Sequence, residues 1–206
     1  YRVMFGDEMT LSMFDDGANG DGLAGDNIYS AVIPSSAYQA GEMVRYFIHA
    51  EDSDGYTSRQ PLFRSPNDSP EYQGTMITDS DVDSSLPILY WFVEDTEAAK
   101  TRDGTRATVN YNGFLYDNIF VRLRGGSTAL APKNSFKFDF NKGDYFTFSS
   151  DEAPVEEFNL NSTASDPSYI RQILSWETYR DVGAPYSIAF PMRVQQNGDF
   201  HSVAIF

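Results

Sequence analysis

Apolar and polar positions alternate along most of this chain, and the pattern predicts strands far more often than helices. Thr10-Leu11-Ser12-Met13-Phe14 alternates. Ile28-Tyr29-Ser30-Ala31-Val32-Ile33 then runs as a β-branched stretch to Pro34. Gly41 opens Met43-Val44-Arg45-Tyr46-Phe47-Ile48-His49-Ala50, and Asp52-Ser53-Asp54-Gly55 supplies the next turn. Short strands separated by regular turn chemistry predict an Ig-like β-sandwich over residues 1–64, with no clear place for a helix. After Pro87, Ile88-Leu89-Tyr90-Trp91-Phe92-Val93 has the length and continuity of a strand buried on both faces. Asn112-Gly113 between two apolar runs predicts a hairpin. In Asn134-Ser135-Phe136-Lys137-Phe138-Asp139-Phe140 the three phenylalanines share one face, and Lys137 and Asp139 share the other.

One helix stands out. Asp166 reads as its N-cap, Pro167 as its first position and Gly183 as the residue just past its end. Two rotations fit. In one, Ile170, Ile173 and Leu174 face inward together with Glu177, a carboxylate that then needs a cation. In the other, Tyr169, Ile173 and Trp176 lead and Glu177 stands at the rim.

Composition sharpens the picture. The 206 residues are 41% hydrophobic and 15% aromatic, too apolar for a disordered tail. The net charge of -15 argues against nucleic acid and anionic membrane surfaces as partners. No apolar run approaches the ~18 residues of a membrane span, so no membrane insertion is expected. With no cysteine, disulfides and thiolate metal sites are excluded. The abrupt start on Tyr1 and end on Phe206 suggest a piece of a longer protein. Residues 1–84 hold 15 acids against four arginines, whereas the remainder is close to balanced. The shift falls in a Ser-, Pro- and Asp-rich stretch. We therefore expect three parts: a module over 1–64, a linker over 65–86 and a mixed α+β domain over 87–206.

Three loci carry candidate chemistry. Gly20-Asp21-Gly22-Leu23-Ala24-Gly25 matches the GxGxxG pattern, but a strand follows it where a phosphate-binding helix would have to start, so nucleotide binding there is rejected. Asp16, Asp21 and Asp26 in the same loop could converge on Ca²⁺; the loop reads equally as Asp-capped turns. The third locus is basic. Arg122, Arg124, Lys133, Lys137 and Lys142 cluster around Gly125-Gly126-Ser127-Thr128, where backbone N–H groups and a lysine could cradle phosphates. His49 and His201 stand alone in strand patterns and read as structural or exposed.

The ordered set Val121-Arg122-Leu123-Arg124-Gly125-Gly126-Ser127, Pro132-Lys133-Asn134-Ser135-Phe136-Lys137-Phe138, Leu160-Asn161, Tyr169-Ile170-Arg171 and Val194-Gln195-Gln196-Asn197-Gly198 resembles the spore-coat CotH kinase family over about residues 88–206. Asp199-Phe200 departs from the Gly-aromatic continuation usual there. The resemblance implies the β-rich N-terminal lobe of an atypical protein-kinase-like fold, with ATP and Mg²⁺ as cofactors and protein Ser or Thr as acceptor. Arg124, Gly125, Gly126, Ser127 and Lys133 would bind the nucleotide, with Lys137 on its phosphates and Glu177 orienting Lys137; Lys133 is the competing candidate for the phosphate lysine. It also implies an extracellular or cell-surface bacterial setting, and metal-binding acids in a second lobe beyond Phe206, so that these residues alone would not turn over. The alternative is a non-catalytic adhesion or coat-assembly protein with a degenerate kinase-like domain. A carbohydrate-active module, suggested by the tyrosines and tryptophans, ranks last.

Overall fold

The computed structural model describes residues 1–126 and 132–206. Its first part contains β1 (Arg2–Val3), β2 (Met43–Tyr46), β3 (Ile48–Glu51), β4 (Thr57–Gln60) and β5 (Gln73–Met76). In place of the expected sandwich over residues 1–64, β1, β2 and β5 form a three-stranded antiparallel sheet, and β3 and β4 form a separate hairpin. The stretches at residues 10–14 and 28–33, expected as strands, meet only at one bridge between Phe14 and Ser30. The reason is local. Between them the carboxylates of Asp15, Asp16, Asp21 and Asp26 accept backbone N–H groups that a ladder would otherwise use. Leu23, Ile28, Tyr29 and Val32 consequently stand exposed.

The second part carries β6 (Ile88–Phe92), α1 (Thr96–Ala99), β7 (Thr105–Tyr111), β8 (Phe114–Arg124), β9 (Ser135–Asp139), β10 (Glu157–Leu160), α2 (Arg171–Asp181), β11 (Pro191–Gln196) and β12 (Asp199–Ile205). The strands form one sheet in the order β10-β9-β8-β7-β6-β11-β12, antiparallel except where β6 meets β11. The sheet curls until its edges touch: Asn161, just past β10, exchanges both backbone hydrogen bonds with Ile205 of β12, at 2.7 and 2.9 Å. The turns behave as their residues require. Asn112-Gly113 (φ 51° and 83°) and Asn197-Gly198 (φ 54° and 95°) both take the left-handed values that join β7 to β8 and β11 to β12.

Inside the curl the rings interlock. Phe136 and Phe138 of β9 pack on Trp91 at 5.0 and 5.4 Å, and Phe138 stacks on Phe158 at 4.8 Å. Phe146 links Tyr116, Phe140, Phe158 and Phe206. The alternation of Phe136, Phe138 and Phe140 thus lines the core as expected, leaving Lys137 and Asp139 outside. Among the described residues no helix is long and apolar enough to cross a membrane.

The stretch 65–86, expected as a linker, is a strap held against the sheet. It contains β5, and its polar groups are matched by partners distant in sequence. Asn118 Nδ2 donates to the carbonyls of Pro66 and Ser69, the Lys142 N–H donates to Asp68, and Arg193 donates to the Asp83 carbonyl. At the centre lies Asp117, 1% exposed. One of its oxygens accepts from Arg45 Nη1 (3.0 Å) and Thr108 Oγ1 (2.8 Å), and the other from the N–H groups of Glu71 and Tyr72 (3.0 and 2.9 Å).

Two outcomes are expected in urea unfolding. The wild-type chain should unfold in one transition, where a module on a flexible linker would give two. Asp117→Ala, which leaves buried Arg45 without its counter-ion, should lose about 3–5 kcal/mol. Two separable wild-type transitions would contradict the strap.

Candidate functional site

The outward face of β8, β9 and β10 is charged. Lys137 stands opposite Arg122 on one side and Asn159 on the other. Its Nζ lies 3.0 Å from Asp139 Oδ1 and bonds Glu157 Oε2. Arg122 Nε approaches the other Asp139 oxygen at 3.9 Å. The Glu157 carboxylate, then Asp139, raises the Lys137 pKa above its ordinary value, and the same bond lowers that of Glu157. Lys137 is therefore matched by acids on its own sheet. Among the described residues no hydrogen bond or ion pair joins it to Glu177.

α2 explains the position of Glu177. Gln172, Ile173 and Trp176 are half-buried, while Ile170 and Leu174 are 50% and 52% exposed. This is the rotation led by Ile173 and Trp176, and Glu177 stands exposed. The helix also starts later than Pro167. Asp166 caps a preceding turn, accepting the Ser168 N–H and hydroxyl, and reaches the Arg171 N–H at 3.0 Å. These bonds, the Ser168 hydroxyl foremost, lower the Asp166 pKa. The end is as expected: Gly183 (φ 74°) follows the last turn, its N–H bonds Arg180 O, and the Ala184 N–H bonds Tyr179 O.

A different cluster forms where β8 ends. Gly125 takes φ 106°, which a side chain would strain, and Arg102 donates through Nη2 to its carbonyl. Arg124 bonds Asn161 Oδ1, whose amide in turn donates to Gln172 of α2 at 3.2 Å. Lys133 lies 5.1 Å from the centre of the Tyr169 ring and donates to the Val203 carbonyl. Among the described residues Arg102, Arg124 and Lys133 have no carboxylate partner, while Lys100 pairs with Glu97 at 2.7 Å. Ser127, expected on the phosphates, lies outside the described residues. The sequence reading missed Lys100 and Arg102, which lie more than 20 positions before the glycine turn and belong to no motif.

His201 of β12 joins this cluster as an uncharged group. Its ring packs against Trp91 and Phe136 at 5.9 and 6.1 Å. Burial, then Lys133 and Lys100, lowers its pKa from the ordinary 6.5.

In the first part of the chain, Asp15, Asp21 and Asp26 each offer an oxygen within 4.8 Å of the others. Asp15 thus replaces Asp16 in the expected trio: Asp16, exposed, accepts the Ala18 N–H and the Asn19 amide instead. Asp21 accepts Gly17 N–H at 2.7 Å, and that bond lowers its pKa.

The donors around the glycine turn suit the phosphates of a nucleotide, being cationic, next to a glycine backbone and, for Arg102, Arg124 and Lys133, unpaired with acids among the described residues. They do not suit Mg²⁺. The acids on this face, Asp139 and Glu157, are bound to Lys137, and among the described residues the one acidic trio lies elsewhere.

Residues 121–203, from within β8 to within β12, match the model of the family described as CotH kinase protein. The match contains the glycine turn, Lys133, Lys137 and α2, as the ordered motifs indicate. No curated protein matches the chain.

Because His201 has a lowered pKa when folded, the unfolded chain takes up its proton first as pH falls. Folding stability should therefore drop below about pH 6.5. Melting temperatures between pH 7.5 and 5 are expected to fall less steeply for His201→Gln than for wild type. Equal slopes would exclude the buried imidazole as a source.

Proposed function

We propose that this chain forms the phosphate-binding side of a CotH-like atypical protein kinase that transfers phosphate from ATP to protein Ser or Thr residues. The observation that carries the reading is that Arg102, Arg124 and Lys133, around Gly125-Gly126 in a chain of net charge -15, have no carboxylate partner among the described residues. Lys133, held by the Tyr169 ring and hydroxyl and by the Val203 carbonyl with no carboxylate partner among the described residues, is the phosphate cation of this reading. A phosphate reaching Lys137 would first have to displace two carboxylates. Arg124 and the Gly126 N–H face the same ligand. Transfer itself needs metal-bound phosphates and a group that orients the acceptor hydroxyl, and the described residues assemble neither at this turn. What is proposed for these residues is therefore binding and orientation of the phosphate chain.

Isothermal titration of Mg-ATP tests the assignment. Lys133→Met should weaken binding about tenfold or more, as expected for loss of a charge-assisted bond, while the melting temperature stays near wild type. Lys137→Met should bind nearly as wild type. The reverse order would move the phosphate contact to Lys137, and no effect from either would remove the phosphate reading.

A further inference from the structure

The segment joining α1 to β7 lies outside the family match, yet it is built onto the glycine turn. Asp95 caps α1 by accepting the N–H groups of Glu97 and Ala98, and Ala99 is fully buried. Thr101 receives the Leu123 N–H on its carbonyl at 2.8 Å. Its hydroxyl donates to Ala98 O and accepts from the Gly104 N–H. Gly104, at φ 66°, packs so closely that a Cβ would stand 2.4 Å from the Val121 carbonyl. These bonds fix residues 99–104 against the end of β8, with Arg102 on the Gly125 carbonyl and Lys100 two positions before Arg102 in the same segment.

We propose that Lys100 and Arg102 are further phosphate-binding determinants of this site, Lys100 as a second cation and Arg102 as a positioning residue for the Gly125-Gly126 turn. The inference rests on the phosphate reading above. Arg102 acts through geometry. In a planar trans peptide the carbonyl and the following N–H point in opposite directions. Holding the Gly125 carbonyl on Arg102 therefore directs the Gly126 N–H to the opposite side, where the proposal puts a phosphate oxygen. Lys100 directly precedes Thr101, whose carbonyl holds the Leu123 N–H two residues before Gly125, and Lys100 and Lys133 both contribute to lowering the His201 pKa. The acids near the segment are Glu97, paired with Lys100 and largely exposed, Asp103, also exposed, and Asp95, whose carboxylate is taken up in capping α1. A phosphate chain of several charges can compete with one exposed carboxylate for Lys100, since such surface pairs are weak. The ligand class is a chain of linked phosphates, as in a nucleoside triphosphate or inorganic tripolyphosphate.

Titrations of Mg-ATP, sodium tripolyphosphate and adenosine into wild type and variants test this. Lys100→Met and Arg102→Met should each weaken both phosphate ligands about tenfold. Lys100→Met should also flatten the dependence of affinity on salt. Arg102→Lys, which can still donate to the Gly125 carbonyl, should recover most of the loss. A merely structural Arg102 would instead lower the melting temperature and would not distinguish phosphate ligands from adenosine. If the wild type binds tripolyphosphate, Lys133→Met weakens it and both new variants bind normally, this inference fails and the phosphate site stands. If the wild type binds neither phosphate ligand, both fall. Binding of tripolyphosphate without any preference for ATP would keep these two residues in place and remove the nucleotide from the reading.

Discussion

The structure depends on the burial of one carboxylate. Asp117 sits inside the protein and satisfies four donors with its two oxygens. A charge taken this far from water is tolerable only with such a complete set of partners. Its donors come from β2, from β7 and from the strap before β6, so the two parts of the chain must assemble around it. The ladder between β7 and β8 shifts register between Ala107 and Val109, beside Thr108. An irregularity of this kind re-aims side chains, here Thr108 toward Asp117. β8 then runs on from Asp117 to the glycine turn at Gly125, about 26 Å away at a strand's rise. One strand therefore has the structural hub near one end and the candidate site at the other.

The electrostatics separate along the same line. Half of the 30 acids lie in the first part and on the strap, against only four arginines. Lys137, Arg122, Asp139 and Glu157 form a locally balanced set on the outer sheet face. At the end of β8, Arg102, Arg124 and Lys133 gather with no carboxylate partner among the described residues. Charges elsewhere on the surface are screened within roughly 10 Å at moderate salt, so the net charge of the chain does not prevent this end from attracting anions.

Much of the β domain was legible because its signals are local. Alternation placed Phe136, Phe138 and Phe140 inside, and Asn112-Gly113 placed the hairpin. The failures are cases where another interaction won. Residues 10–14 and 28–33 have the pattern of strands, but the aspartates between them capture the backbone first. Residues 65–86 have the composition of a linker, yet Asn118, Asp117 and Lys142 bind them from up to 74 positions away. The helix pattern admitted two rotations, and packing of Ile173 and Trp176 chose the one that leaves Glu177 outside. At the candidate site, the glycine turn and Lys133 could be read as part of a basic cluster of the sequence, with Lys137 ranked ahead of Lys133 as the phosphate lysine. Arg102 could not, because its only signal is a contact made after the chain has folded.

The account turns on whether phosphates bind where β8 ends. Hydrogen–deuterium exchange with and without Mg-ATP reads this directly, amide by amide. The account predicts slower exchange confined to residues 99–104, 123–134 and 201–204, with the acidic loop at 15–27 unchanged. Protection of that loop alone, or of no segment at saturating nucleotide, would contradict it.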